Sequence, residues 1–413
     1  MYKYATCGRH SCPGRKFVKK LAKGRIFPFA RKGRVMKKPN VGVWLGLFLL
    51  SLGTSLQVQA STWSFTGSMQ QARNYFSATL LNNGQVLVVG GSYRGTFVQY
   101  GLTSAELYNP ATGTFSPTGG LNTGRYGHTA TLLSNGKVLI AGGQNSTSGA
   151  LASAELYDPT TGTFSNTGSL SCACGFSATL LANGMVLFTG GIDANANALA
   201  TAELYNPTTG TFVATGSLNV ARAGPSTTLL ANGKVLVAGG VYYTGTSPNL
   251  VVHYLASAEL YDPTTGTFAL TGSLHTARSS QTATVLGNGN VLLAGGQNDG
   301  ANGGYLASAE LYNPTTGKFA VTGSLNTARI LHRAHLLSSG QVLIVAGNHF
   351  GSIASAELYD PTSGTFSNTA SLNTPRQGHA TALLTNGQVL AVGGYESQLG
   401  NRQGYLASAE LFH

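Results

Sequence analysis

The chain has 413 residues, 56 of them Gly, with 42% hydrophobic and only 9% charged residues. That composition excludes a charged disordered chain and a coiled coil. The formal charge of +12 would fit a nucleic-acid binder only if it lay on the folded part, but residues 1–60 hold 13 of the 25 Lys and Arg and none of the 13 Asp and Glu. The remainder carries 12 basic against 13 acidic residues, so no nucleic-acid partner is expected.

In chain order, the first predicted element is an export signal. The apolar run 41–53 follows Met36-Lys37-Lys38-Pro39 and ends in polar Thr54-Ser55, with Val58-Gln59-Ala60 as a small-residue cleavage site. The run is shorter than the roughly 20 apolar residues a membrane helix needs. Residues 1–60 are therefore read as a signal region cleaved after Ala60, with Met36 as the expected start of translation. The mature chain is expected to be secreted, periplasmic or on the cell surface, without a membrane span.

From Phe65 onward the sequence repeats. The string Ser/Thr-Ala-Glu-Leu-Tyr/Phe recurs with its Glu at 106, 155, 203, 259, 310, 357 and 410, a spacing near 50 residues. Seven copies at that period predict a β-propeller. Each copy opens with a Thr-Ala-Thr-Leu-Leu type strand and a tight turn such as Asn135-Gly136 or Asn232-Gly233, a strong hairpin signal. A second apolar strand runs into a Gly pair in every copy but one, where Ala346-Gly347 stands. A variable loop leads to the third strand, and an Asp/Asn-Pro-x-Thr/Ser-Gly turn leads to the fourth. The chain stops at His413 inside the third strand of copy seven, and Thr62 to Gly67 matches a fourth strand that has no preceding three. That segment should complete the last blade, placing Trp63 beside Phe412 and closing the ring.

The Gly doublet after an apolar strand, followed by a Tyr and a Phe with six residues between them (Tyr108 and Phe115, Tyr157 and Phe164, and so on), resembles the kelch repeat. Phe stands where that family usually has Trp. The resemblance covers residues 62–413 and implies an all-β, seven-bladed propeller over 61–413, each blade a four-stranded antiparallel meander with its first strand innermost.

Candidate chemistry is sparse. Seven of the eight Glu are the repeat Glu, three of the five Asp sit in Pro turns, and no phosphate-loop, zinc or nucleophile-elbow motif occurs. Arg follows the repeat Glu by 19 residues in every copy but one, giving the expected inter-blade ion pairs Glu106 with Arg125, Glu203 with Arg222, Glu259 with Arg278, Glu310 with Arg329, Glu357 with Arg376, and Glu410 with Arg73 around the ring. A ring of ligand-binding arginines is the alternative. Position 19 after Glu155 is Cys174. Cys172 and Cys174 admit three readings: a disulfide, free or intermolecular thiols, or a functional cysteine. His128, His332 and His379 occupy one innermost-strand position in copies two, six and seven and are read as hydrogen-bonded rather than metal-binding.

Kelch propellers of the galactose oxidase type are similar in their blade motifs. That resemblance implies a Cys cross-linked to a Tyr in the next blade, with copper held by Tyr and His. Cys174 and His379 match such positions, but Gly224 lies in the segment Ala221 to Pro225 that contains no Tyr, and Gly378 stands where the Tyr ligand belongs. No metal and no cofactor are expected. The leading expectation is a noncatalytic module binding a protein or polysaccharide; a galactose-oxidase-like oxidoreductase and a purely structural surface protein are the alternatives. The variable loops all fall on one face, so Arg94, Tyr242, Tyr243, Tyr395 and Arg402 are the candidate ligand contacts.

Overall fold

The computed structural model describes residues 61–94, 99–173, 177–193, 195, 197–245, 249–300, 302–397 and 404–413. The export signal expected over 1–60 lies outside them. Seven four-stranded antiparallel sheets form the blades. Blade 1 comprises Ser77–Leu80, Val86–Val89, Ala105–Asn109 and Thr114–Pro117, and the others follow the same plan. The first strands approach one another in sequence around the ring and line its axis.

Each second strand is a continuous apolar run because both of its faces are covered. Val86 and Val88 pack with Leu390 and Val392 of blade 7, whereas Leu87 and Val89 pack with Val138 and Ile140 of blade 2. The period-2 alternation of the strand thus welds each blade to two neighbours. The repeat Tyr, buried at 0% exposure in six blades, sits on its Phe at 4.8 Å in blade 1. Its hydroxyl reaches the preceding blade: Tyr108 bonds Thr66 at 2.9 Å and Tyr157 bonds Thr118 at 2.9 Å.

The ring closes as the repeat pattern requires. Trp63–Phe65 is the outer strand of blade 7, with Trp63 opposite Phe412 and Phe65 opposite Glu410. The Trp63 and Phe412 rings are 5.3 Å apart, and the indole Nε1 donates to Ala370 O at 3.0 Å.

The expected inter-blade ion pairs need correction. Every Arg–Glu pair lies within one blade: Arg73 with Glu106, Arg125 with Glu155, Arg222 with Glu259, Arg278 with Glu310, Arg329 with Glu357 and Arg376 with Glu410. The arginine enters a blade at the end where that blade's own third strand begins, so its side chain lies along its own sheet. Arg125 Nη1 donates to Gly142 O and Ser153 O, both at 2.8 Å, while Nη2 reaches Ser153 Oγ at 3.0 Å and Glu155 at 2.9 Å. Glu155 also accepts the backbone N–H of Asn122 and Thr123 in the incoming segment. The arginine's link to the neighbouring blade is through its backbone, where Gly91 N donates to Arg125 O at 2.8 Å. Each pair is thus a buried latch that fastens the incoming connector onto the blade it enters.

The correction moves the exception as well. Glu155 has its arginine, and Glu203, expected opposite Arg222, is the repeat Glu with no ion pair among the described residues. Glu203 is 3% exposed and is satisfied by the backbone N–H of Ser171 and by its hydroxyl at 2.8 Å. Cys172 is disulfide-bonded; Cys174 lies outside the described residues.

Candidate functional site

In five of the seven blades the connection between second and third strands is a paired hairpin among the described residues. Ser92–Arg94 pairs with Gln99–Gly101, Gln144–Asn145 with Gly149–Ala150, Val241–Thr244 with Val251–Tyr254, and Tyr395–Glu396 with Gly404–Tyr405. In blade 6 the second and third strands lengthen into one such hairpin, with a register shift between Val345 and Gly347. These hairpins stand on the end of the ring where the innermost strands begin.

Tyr242 is exposed and stacks on His253, with ring centroids 4.7 Å apart at 14°. His253 is fixed in turn by Thr244 Oγ1 at 2.7 Å. Tyr243 lies on the opposite side of the same strand, where burial raises its pKa. Tyr395 packs on Tyr405, which also meets Tyr93 of blade 1 at 5.7 Å, so the last and first hairpins share an aromatic cluster. Arg94 falls at the end of its strand, and Arg402 lies outside the described residues. Among the described candidates, the three tyrosines are distributed over two hairpin groups.

Three further elements escaped the sequence reading. Tyr93, Tyr100 and Phe350 are 47%, 52% and 68% exposed on this face, and Tyr305 forms an edge-to-face group with His349 and Phe350. At the mouth of the axial channel a left-handed residue precedes the innermost strand in six blades: Tyr75, Gly127, Gly224, Ser280, Leu331 and Gly378, with φ between 53° and 64°. Tyr75 N donates to Gly378 O and Gly127 N to Tyr75 O, so these residues join neighbouring blades at the rim. Three glycines at aligned positions were the available signal.

The opposite face is uniform. A depression of about 340 Å³ lies between the turns of blades 1 and 2, lined by Asn82, Asn83, Asn135, Lys137, Asp158 and Thr160 among others. Lys137 closes on Asp158 at 3.1 Å.

The histidines are enclosed. His128 Nε2 meets Ser77 Oγ at 3.0 Å and His332 Nε2 meets Thr282 Oγ1 at 3.0 Å, as expected. Burial, helped by nearby arginines, lowers the pKa of both to about 3. His379 departs from the expectation: both of its ring nitrogens are buried without a partner.

The Kelch motif model matches residues 125–171, which span the second copy from its latch arginine into the next connector. With seven blades of one plan, that match supports a kelch-type architecture. The chain is a kelch-type β-propeller. A solved structure of a fungal alcohol oxidase of the AA5 family, in complex with copper, is similar at TM-score 0.68 and 17% identity, covering 86% of this chain and 76% of that one. At that identity the likeness concerns the fold. A search of curated proteins finds no match.

The described residues do not supply the Tyr and His set of an oxidase copper site, since Gly224 and Gly378 stand at the tyrosine positions. A Cβ at Gly378 would run into Asn74 Oδ1, so any side chain there requires Asn74 to shift. No group of three or more His, Cys, Asp or Glu suited to a metal occurs among the described residues. No helix among the described residues is long and apolar enough to cross a membrane.

Proposed function

We propose that this kelch-type propeller is an exported, noncatalytic module that binds a protein or polysaccharide on its hairpin face. The observation that carries the reading is an asymmetry. Tyr75, Tyr93, Tyr100, Tyr242 and Phe350 are all exposed large aromatics, and all lie on the hairpin end. The exposed large apolar residues elsewhere, such as Phe65, Val213, Leu270 and Val321, are scattered singly on outer strands. Rigid aromatic side chains clustered on a face that differs from blade to blade supply contact area at low entropic cost, while the uniform framework positions them.

The test is a glycan array together with chemical cross-linking to envelope proteins, both read for saturable binding. Binding that survives Tyr93→Ala and Tyr242→Ala but is lost on changing Lys137 would place the ligand on the other face and end the proposal. Export is tested by N-terminal sequencing, with Ser61 expected as the first residue. The oxidase reading, kept because of the copper-bound relative in fold, predicts copper near one per chain and alcohol-dependent peroxide release; the binding-module reading predicts neither.

A further inference from the structure

One interface in the ring differs from the rest. At the first position of the innermost strand, other blades carry Ser77, Thr129, Ser177, Ser226, Thr282 and Ala380, whereas blade 6 carries Arg333. Two residues on, His335 stands where most blades have Thr. Both project toward blade 7: Arg333 Nε donates to His379 O at 3.0 Å, and His335 Nε2 meets Thr381 Oγ1 at 2.7 Å. The innermost strands of blades 6 and 7 also make the fewest close approaches of any neighbouring pair.

This exchange accounts for the state of His379. Its counterparts His128 and His332 bond a hydroxyl of the preceding blade, but the preceding blade offers His379 an arginine instead. Its seat has changed as well. A Cβ at Gly90 would stand 2.9 Å from His128 Cε1, and one at Gly295 would stand 2.8 Å from His332 Cε1. Blade 6 carries that Cβ, on Ala346, which keeps the left-handed φ of 52°. His379 therefore cannot sit as its counterparts do, and a fully buried imidazole is left with two unpartnered nitrogens.

Arg333 is equally unfinished. It is open to solvent yet lies in the wall of the channel, and burial still lowers its pKa. Its Nη1 and Nη2 have no hydrogen-bond or ion-pair partner among the described residues; only Nε is engaged. The neighbouring His332, His335 and His379 are all held neutral, chiefly by burial, so they add no charge beside the guanidinium. Its Nη atoms face the channel solvent, and a guanidinium fork matches a carboxylate or phosphate in two parallel bonds.

We propose that the axial channel at the junction of blades 6 and 7 binds one small oxyanion, a carboxylate or a tetrahedral phosphate-like group, on the guanidinium fork of Arg333 beside His379. The site is independent of the macromolecular ligand on the hairpin face. Calorimetric titration of the full chain with acetate and with inorganic phosphate, in buffer free of other oxyanions, is expected to show one saturable site for at least one of them, weakened at least tenfold by Arg333→Gln. The anion that binds identifies the class. No saturable site for either anion, or equal affinity in the variant, overturns the proposal. If Arg333→Gln fails to fold, crystals of the unaltered protein grown separately with selenate and with acetate decide: either anion seated against the Nη atoms of Arg333 supports the site, and the absence of both there overturns it.

Discussion

The latched framework and the hairpin face obey opposite rules. In the framework, one solution is repeated: a buried Arg–Glu pair, a Tyr on a Phe, a Gly pair and a Pro turn recur with little change, because each contact must be made again at the next blade. On the hairpin face the connections vary in length and sequence from blade to blade, and the large exposed aromatics gather there. The difference separates what holds the ring from what the ring presents. Framework substitutions should cost stability and leave recognition alone, and hairpin substitutions should do the reverse.

The largest effect should come from opening the ring. Deleting residues 62–67 removes the strand opposite Phe412 and the Trp63 ring packed on it, a loss of at least about 3 kcal/mol from the indole alone. Thermal unfolding checks it, and an unchanged melting temperature would refute closure by the N-terminal strand. Next come the latches. Glu259→Gln leaves the fully buried Arg222 guanidinium without its carboxylate and should cost about 3 to 5 kcal/mol. Glu203→Gln strands no arginine and should cost about 1 kcal/mol or less. Equal costs in urea denaturation would show that the guanidinium contributes nothing beyond the Ser171 bonds.

A smaller effect is set by pH. His128 and His332 are held near 3 and His335 near 4 by burial, against about 6.5 in an unfolded chain. Between those values the unfolded state binds more protons. The histidine contribution is therefore fully present above about pH 6.5 and is lost as pH falls toward 4. The urea midpoint should drop from pH 7 to pH 4.5, and His128→Phe, which installs the residue found at position 76, should flatten that slope. The smallest stability effect belongs to the hairpin face, where Tyr93→Ala and Tyr242→Ala should stay within about 1 kcal/mol because both rings are partly exposed already.

The fold was legible because a propeller writes its plan seven times. The Tyr–Phe spacing, the Asn-Gly turns and the match of Thr62 to Gly67 with a fourth strand locate every blade and the closure. The Arg–Glu pairing was half legible: the spacing marks residues that share one end of a blade, but an arginine at a blade junction lies equally near the sheet it leaves and the sheet it enters. Only the placement of Arg125 along Gly142 and Ser153 decides between them. The candidate site was least legible. Arg333 and His335 occupy positions a repeat alignment displays, yet their meaning appears only once His379 is seen without a partner. The meeting of Tyr93 with Tyr405 joins residues from opposite ends of the chain, which no local pattern announces.

The measurement that bears most directly on the division between framework and recognition surface is a paired one. The unaltered chain, a Tyr93→Ala, Tyr242→Ala, Tyr243→Ala, Tyr395→Ala variant, and a turn-face variant, Lys137→Ala with Lys234→Ala, are each measured for binding to the glycan or protein found by array or cross-linking, with melting temperature recorded alongside. The account predicts that the tyrosine variant loses binding by tenfold or more while it still folds, and that the turn-face variant binds as the unaltered chain does. Full binding by the tyrosine variant, with binding lost in the turn-face variant, would contradict it.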